Sequence, residues 1–117
     1  MSVRLTGYVK YYKFLISNFG HADCKGCLYL AKILDKYEPD KSLQEIYQEY
    51  SAQTNSTAFA IARNVRTYID LIMKDNTVED ISKLLDYQFK PGVDHLTQSE
   101  LIPAIKFAID YSDNELE

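Results

Sequence analysis

The 117-residue sequence lacks tryptophan and contains only four glycines, three prolines and two cysteines. No apolar run approaches the ~20 residues that span a bilayer, and the N-terminus has no apolar region typical of a signal peptide. We therefore expect no membrane span and a cytoplasmic location. The chain is too short for a second domain, but its 46% hydrophobic content is enough to form one core. A single domain over residues 1–117 is predicted.

Motifs of catalytic and metal sites are also missing. No phosphate-cradling glycine loop, Ser/His/Asp arrangement or paired-carboxylate motif stands out. Cys24 and Cys27 form one Cys-x-x-C beside His21, but zinc needs four ligands and His95 is the only other histidine. A thioredoxin-type site needs a strand before its helix, whereas this segment has the pattern of a helix start. Ordinary packing is the preferred interpretation, and we expect no enzyme activity, cofactor, metal or small-molecule substrate.

Apolar residues recur at helical spacing through most of the chain, without strand alternation, internal repeats or low-complexity tracts. The predicted fold class is all-α, with about six helices and a central helix-turn-helix. Capping boxes are expected at Ser42–Glu45 and Thr97–Glu100, and Gly20 and Pro39 end two helices. The predicted helices cover residues 3–18, 24–37, a third segment from 42, a fourth to about 75, then 77–87 and 101–111. Residues 88–96 form the longest predicted loop.

The segment at residues 46–66, IYQEYSAQTNSTAFAIARNVR, has the pattern of a helix-turn-helix. A short amphipathic helix is followed by a polar break at 54–56 and by a second helix capped by Ser56 or Thr57. A helical wheel centred on Ile61 divides the second helix into two faces. The apolar face contains Ala58, Val65, Tyr68, Ile69 and Ile72. The opposite face contains Phe59, Arg63, Arg66, Thr67 and Asp70. Two arginines one turn apart can reach base edges in a DNA major groove, although most exposed arginines only solvate a helix.

Several short motifs, in a consistent order and spacing, suggest a family. They are KGCLYL at 25–30, Ile46-Tyr47, Asn55-Ser56-Thr57-Ala58, Ile61, Arg63, Val65, Arg66 and Ser99-Glu100. Over residues 19–109 the chain resembles the C-terminal effector domain of the stage-zero sporulation protein A family, the sporulation regulators of endospore-forming bacteria. The resemblance implies an all-α bundle of six helices that binds double-stranded DNA through the second helix of its helix-turn-helix. It also implies tandem, head-to-tail pairing of two copies on DNA. Residues 1–18 form a predicted helix outside the resemblance, and residues 112–117 an acidic tail.

The second helix both keeps and departs from the family pattern. Both arginines of the pattern are present as Arg63 and Arg66, and a guanidinium matches the N7 and O6 acceptors of guanine. Ala62 replaces a glutamate and cannot accept from a cytosine amino group, while Ala60 replaces an arginine. Phe59, where serine is usual, could touch a thymine methyl, stack on Arg63 or form a protein-binding patch. These departures leave the target sequence open.

Nine residues are therefore predicted to contact DNA. Seven belong to the helix-turn-helix: Thr57, Phe59, Ala60, Ala62, Arg63, Arg66 and Thr67. Two lysines are predicted to bind phosphate groups without reading sequence. Lys25 lies near a helix N-terminus, and Lys90 lies in the loop before the last helix, which the family resemblance implies as a contact.

The net charge of −4 and the pI near 5.1 argue against a strongly non-specific nucleic-acid binder, because phosphate contacts dominate such binding. The charge is unevenly distributed. Residues 1–36 hold six Lys/Arg against two Asp/Glu, a local +4, and residues 77–117 hold three against nine, a local −6. The acidic C-terminal third is either a solvated surface or one that meets the basic patch of a neighbouring copy.

The leading functional prediction is a sequence-specific DNA-binding transcription regulator. Full-length regulators of the family carry an upstream receiver domain with a phosphorylated aspartate. This sequence begins about eighteen residues before the resemblance, so we expect no phosphorylation control unless the sequence is a fragment. The alternative is a degenerate relative that does not bind DNA. Such a protein would act as a protein-interaction module or antagonist through Phe59, Ala60 and Ala62.

Overall fold

The computed structural model describes the backbone of residues 7–115 and the side chains to residue 111. This part of the chain folds into six helices and contains no strand, so the predicted all-α class is confirmed. The helices are α1 (Tyr8–Phe19), α2 (Lys25–Lys36), α3 (Leu43–Ser51), α4 (Ala58–Asp75), α5 (Val78–Leu85) and α6 (Gln98–Glu115). Among the described residues, no helix combines the length and the apolarity needed to cross a bilayer.

The observed ends of α5 and α1 differ from the predicted ones. The prediction extended α5 to residue 87, but the helix ends at Leu85 because Asp86 adopts a left-handed conformation with φ 50°. The Tyr87 N–H then turns back and donates to the Ser82 carbonyl at 3.1 Å, which closes the last turn. The start of α5 has a complete capping box, in which the side chains of Thr77 and Asp80 each accept from the other's backbone N–H. Helix α1 begins at Tyr8, with Gly7 outside the helix, and ends at Phe19, one residue past the predicted end; residues 3–6 of the predicted span lie outside the described residues.

Helix α6 is longer at both ends than the predicted span of 101–111. It begins at Gln98, and the Glu100 carboxylate reaches back to accept from the Thr97 N–H at 3.0 Å and from the Thr97 hydroxyl at 2.9 Å. The hydroxyl therefore donates to the glutamate instead of capping the Glu100 N–H, so the expected capping box is only half formed. The helix continues to Glu115, and most of the predicted acidic tail is helical backbone, with residues 116–117 outside the described range. Pro103 lies in the second turn.

Buried side chains from all six helices form one hydrophobic cluster, which includes Tyr11, Leu30, Ile46, Ile61, Ile81 and Leu101. The inner face of α4 matches the helical wheel, because Ile61, Val65, Tyr68, Ile69 and Ile72 are all buried. Helix α4 contacts α2, α3 and α6. These contacts leave only one face of α4 in solvent.

The start of α2 lies very close to the middle of α4. A Cβ added to Gly26 would lie 2.0 Å from the Asn64 carbonyl oxygen and 2.8 Å from Tyr68 Cβ. Glycine is therefore required here by space. The buried Tyr68 hydroxyl extends the same contact by donating to the Gly20 carbonyl at 3.0 Å, just after α1. Burial raises the pKa of this hydroxyl above its usual value.

Helix α1 packs into the same core although its sequence lies outside the family resemblance. Tyr11, Leu15 and Phe19 are buried against α2. The Lys106 ammonium on α6 donates to the Leu34 carbonyl at 2.9 Å and to the Tyr11 hydroxyl at 2.8 Å, so one side chain links α1, α2 and α6. Burial lowers the pKa of Lys106, an effect that the nearby Asp110 carboxylate opposes.

Candidate nucleic-acid interface

Helices α3 and α4 are joined by residues 52–57, which turn through a series of short backbone bonds. The Gln53 and Thr54 N–H groups donate back to carbonyls in the last turn of α3, at 3.0 and 3.1 Å. The Thr57 hydroxyl accepts from the Ala60 N–H at 3.1 Å, so Thr57 is the cap that begins α4. The Ser56 hydroxyl is instead within 3.2 Å of the Tyr29 hydroxyl on α2. Of the two predicted caps, only Thr57 has this role.

The outward face of α4 carries the predicted arginines. Phe59, Arg63, Arg66 and Thr67 are exposed, and Phe59 is 77% exposed. Neither guanidinium makes an ion pair or a hydrogen bond with any described residue. Arg63 and Arg66 are separated by about 4.5 Å of rise along the helix. Two free guanidiniums at this spacing can each form a bidentate pair with a guanine or a phosphate.

Charge is distributed unequally along α4. Its first ten residues, 58–67, contain two arginines and no acidic residue, and the partial positive charge of the helix N-terminus lies at the same end. The acidic residues lie further along and are paired with histidines. Asp70 is 3.1 Å from His95 Nε2, and Asp75 is 2.8 Å from His21 Nε2. The N-terminal half of α4 therefore presents the positive surface.

The two alanines of the predicted interface lie at the edges of the exposed face. Ala60 and Ala62 are about 160° apart around the helix, and each is half-buried. The Ala60 carbonyl accepts from the Asn64 side chain at 2.9 Å, on the side where α2 packs. The Ala62 carbonyl accepts from the Gln98 side chain at 3.1 Å, on the side of α6. The part of the α4 surface between these two edges, which we call the central arc, carries Phe59, Arg63 and Arg66 and is fully exposed to solvent.

A groove of about 710 Å³ runs beside α4, between α3 and the start of α6. Its lining includes Leu43, Tyr47, Ala62, Arg66, His95 and Gln98. The Gln98 side chain links α3 to α4 at this groove, because it accepts from the Tyr47 hydroxyl on α3 and donates to the Ala62 carbonyl on α4. Burial raises the pKa of the Tyr47 hydroxyl, and the nearby Arg66 charge opposes this shift.

The sequence interpretation missed the roles of Gln98 and His95. Gln98 fixes α6 to α4 from 36 residues away, and His95 pairs with Asp70 from 25 residues away. No local motif marks such contacts, because they depend on how distant helices pack.

The two predicted phosphate-binding lysines are exposed at different places. Lys25 is the first residue of α2, next to Gly26, and therefore lies beside the middle of α4. Lys90 lies in the connection between α5 and α6. The hydrogen bond from the Thr97 backbone N–H is the main cause that lowers the pKa of the Glu100 carboxyl, and the positive charge of Lys90 lowers it further. Lys25 belongs to α2 and Lys90 to the connection that leads into α6, and both of these helices contact α4.

The two cysteines pack at the start of α2. Cys24 is the residue before the helix and is half-buried, while Cys27 is fully buried. Burial raises the pKa of the Cys27 thiol above its usual value. Among the described side chains, no group of three or more His, Cys, Asp or Glu residues is placed to hold a metal ion.

No family model, curated protein or solved structure matches this chain. The resemblance to the sporulation regulators therefore stays a prediction that rests on the sequence motifs.

Proposed function

We propose that the protein is a sequence-specific DNA-binding transcription regulator of the cytoplasm that places α4 in the major groove of double-stranded DNA. The observation that carries the proposal is the arginine pair. Arg63 and Arg66 are exposed, lie one turn apart and have no ion-pair or hydrogen-bond partner among the described residues. An unpaired guanidinium has its full donor set available for guanine or phosphate acceptors.

The arrangement of α3 and α4 supports the same proposal. A short helix, a six-residue connection and a longer capped helix follow one another, and on the inner face of the second helix every residue from Ile61 onward is buried and Ala58 is half-buried. In helix-turn-helix proteins, the N-terminal residues of the second helix contact base edges. The N-terminal half of α4 is also the half that is free of acidic residues.

The net charge of −4 sets an expectation for binding strength. A protein with few phosphate contacts binds random DNA weakly and with a shallow salt dependence. Base contacts by Arg63, Arg66 and Phe59 would then supply most of the discrimination between sequences. We propose that Lys25 and Lys90 contact phosphate groups on the two sides of α4.

The proposal can be tested with duplexes enriched from a random library and fluorescence anisotropy. Arg63→Ala or Arg66→Ala should weaken the best duplex by about 1–3 kcal/mol, or roughly 5- to 150-fold, because each removes one bidentate contact. The charge-matched control is Lys83→Ala on α5, whose side chain is 76% exposed and whose ammonium pairs with Glu79. Exposed side chains without partners contribute little to stability, so thermal unfolding should be unchanged in both arginine variants.

Two results would contradict DNA binding. One is the failure of any duplex to be enriched above random sequence. The other is an equal, small effect of Arg63→Ala, Arg66→Ala and Lys83→Ala, since total charge alone would then explain binding.

A second candidate function is a protein-interaction module that uses the same face of α4. Phe59 favours it, because its phenyl ring is 77% exposed and lies beside the groove that α3, α4 and the start of α6 form, where a partner's apolar side chain can pack. A gel shift on random DNA at two salt concentrations separates the candidates. A DNA-binding protein with few phosphate contacts gives a weak shift that declines with added salt, whereas a protein-interaction module gives no shift at either concentration.

A further inference from the structure

Helix α6 has a second apolar face that points into solvent. Its core face carries Leu101, Ile102, Ala104, Ile105 and Ile109, all buried. The opposite face carries Pro103, Phe107 and Tyr111 at a spacing of one turn, and Phe107 is 60% and Tyr111 53% exposed. Their rings stack at 5.8 Å between centroids with 17° between planes. The solvent face of an amphipathic helix is normally polar, so this face suggests a binding surface.

Other elements complete an aromatic groove of about 490 Å³ around this face. Tyr37 and Pro39 come from the α2–α3 connection, and Tyr87 follows α5. Four aromatic rings and two prolines therefore line one groove. The phenol hydroxyls of Tyr37 and Tyr87 make no hydrogen bond with a described residue, so both are available as donors. The groove shares no lining residue with the one beside α4.

The charge around the aromatic groove is acidic. Its two charged lining residues, Lys106 and Asp110, form an ion pair at 3.8 Å and are further bonded within the fold. Next to the lining residues in sequence are three exposed acidic residues, Glu38, Asp40 and Asp86, and one half-buried lysine, Lys36, so acidic groups outnumber basic ones there. Of these, only Glu38 forms an ion pair with a described residue, at 3.8 Å from Lys41. The surface is therefore complementary to a cation.

We propose that the aromatic groove binds an extended, proline-rich peptide segment of a partner protein that carries basic side chains. Proline-rich segments in the polyproline II conformation dock onto aromatic-lined grooves, where their rings pack against the aromatic faces. This conformation has no internal hydrogen bonds, so its carbonyls need donors such as the Tyr37 and Tyr87 hydroxyls. A helical ligand would satisfy its own carbonyls and leave those hydroxyls unmatched. Arginine or lysine in the ligand would meet Asp40 and Asp86.

The test uses the whole protein and a short fluorescein-labelled peptide of repeated proline with arginine at both ends. We expect a saturable rise in anisotropy, and a loss of about tenfold or more in affinity for Phe107→Ala, because a central aromatic anchor is removed. Phe59→Ala is the matched control, since it truncates an exposed phenylalanine on α4, 77% exposed against 60% for Phe107, and should leave peptide binding unchanged. Tyr87→Phe removes only the hydroxyl and should weaken binding several-fold while preserving the ring.

Two control peptides define the ligand chemistry. Replacing the prolines by glycine and serine, or the arginines by glutamate, should each reduce affinity by about tenfold. The proposal is overturned if the proline peptide does not saturate, if the glycine-serine peptide binds equally well, or if Phe107→Ala and Tyr87→Phe both bind like the unmodified protein. Concentration-dependent self-association that Phe107→Ala abolishes would also overturn it, because a second copy would then occupy the groove.

Discussion

Replacing Gly26 by alanine would add a methyl group where α2 packs tightly against α4. The new Cβ would lie 2.0 Å from the Asn64 carbonyl oxygen, 2.7 Å from the Asn64 carbonyl carbon and 2.8 Å from Tyr68 Cβ. Two of these atoms belong to the backbone of α4 and cannot rotate away. Relief of the overlap therefore requires the two helices to separate by about an ångström, which loosens the packing of their buried side chains.

The expected cost follows from two opposing contributions. Glycine to alanine inside a helix stabilises by up to about 1 kcal/mol through helix propensity. Overpacking of a close contact destabilises by about 1–3 kcal/mol, and occasionally by more when backbone must shift. We expect an overpacking term of about 3 kcal/mol here, because backbone atoms of α4 are involved. With the gain of about 1 kcal/mol from propensity, the net loss in the free energy of unfolding is about 2 kcal/mol. For a chain of this size that corresponds to a fall of roughly 8 °C in Tm.

Thermal and urea unfolding followed by circular dichroism would measure this effect. Ser17→Ala is the control, because Ser17 is exposed on α1 and its replacement changes helix propensity without a steric contact. Its Tm should stay equal or rise slightly. A Tm for Gly26→Ala at or above that of the unmodified protein would refute the close approach of α2 to α4, since propensity alone would then dominate.

Three further predictions concern pH, phosphate contacts and assembly. The Thr77 N–H holds the pKa of Asp80 below its usual value. This carboxylate therefore stabilises the fold above about pH 4, and that contribution is lost as pH falls through the lower folded-state pKa. When the free energy of unfolding is measured by urea at several pH values, the Asp80→Asn variant should lose less stability between neutral and acid pH than the unmodified protein. Lys25→Ala and Lys90→Ala should weaken all duplexes alike and lower the salt slope, whereas loss of one sequence alone would contradict a phosphate role. The protein should be monomeric alone and bind as two copies to a duplex with two adjacent sites, as mass measurements would show. A stable DNA-free dimer would contradict this last expectation.

Local signals were sufficient to predict much of the helical architecture. The two faces of α4 follow from the spacing of its apolar residues. Its start at Ala58 agrees with the second of the two predicted caps, Ser56 or Thr57, and its end at Asp75 with the predicted end. The Thr77–Asp80 pair likewise marks the start of α5. Each of these features depends on residues within one or two turns. The exposure of Arg63 and Arg66 was predicted correctly for the same reason.

Features that depend on distant contacts could not be predicted from sequence. The requirement for Gly26 comes from Asn64, which is 38 positions away, and the bridge from Gln98 to Ala62 joins residues on different helices. The end of α5 was placed two residues too late, because an aspartate in the left-handed conformation gives no signal comparable to glycine. The aromatic groove beside α6 was also not predicted, since periodicity alone does not show that Phe107 faces solvent.

The packing of α4 against α2 and α6 limits which of its side chains could contact DNA bases. One edge lies against α2 at Asn64, and the other edge is closed by the bridge from Gln98 to Ala62. Positions 60 and 62 lie at these edges, and alanine at both positions supplies no polar side chain that could contact a base; the Asn64 and Gln98 side chains there are bonded to the Ala60 and Ala62 carbonyls. Base recognition by α4 would then depend on the central arc, and chiefly on Arg63 and Arg66. Because this arc and the aromatic groove share no residue, truncating Phe59 and truncating Phe107 should affect separate binding events.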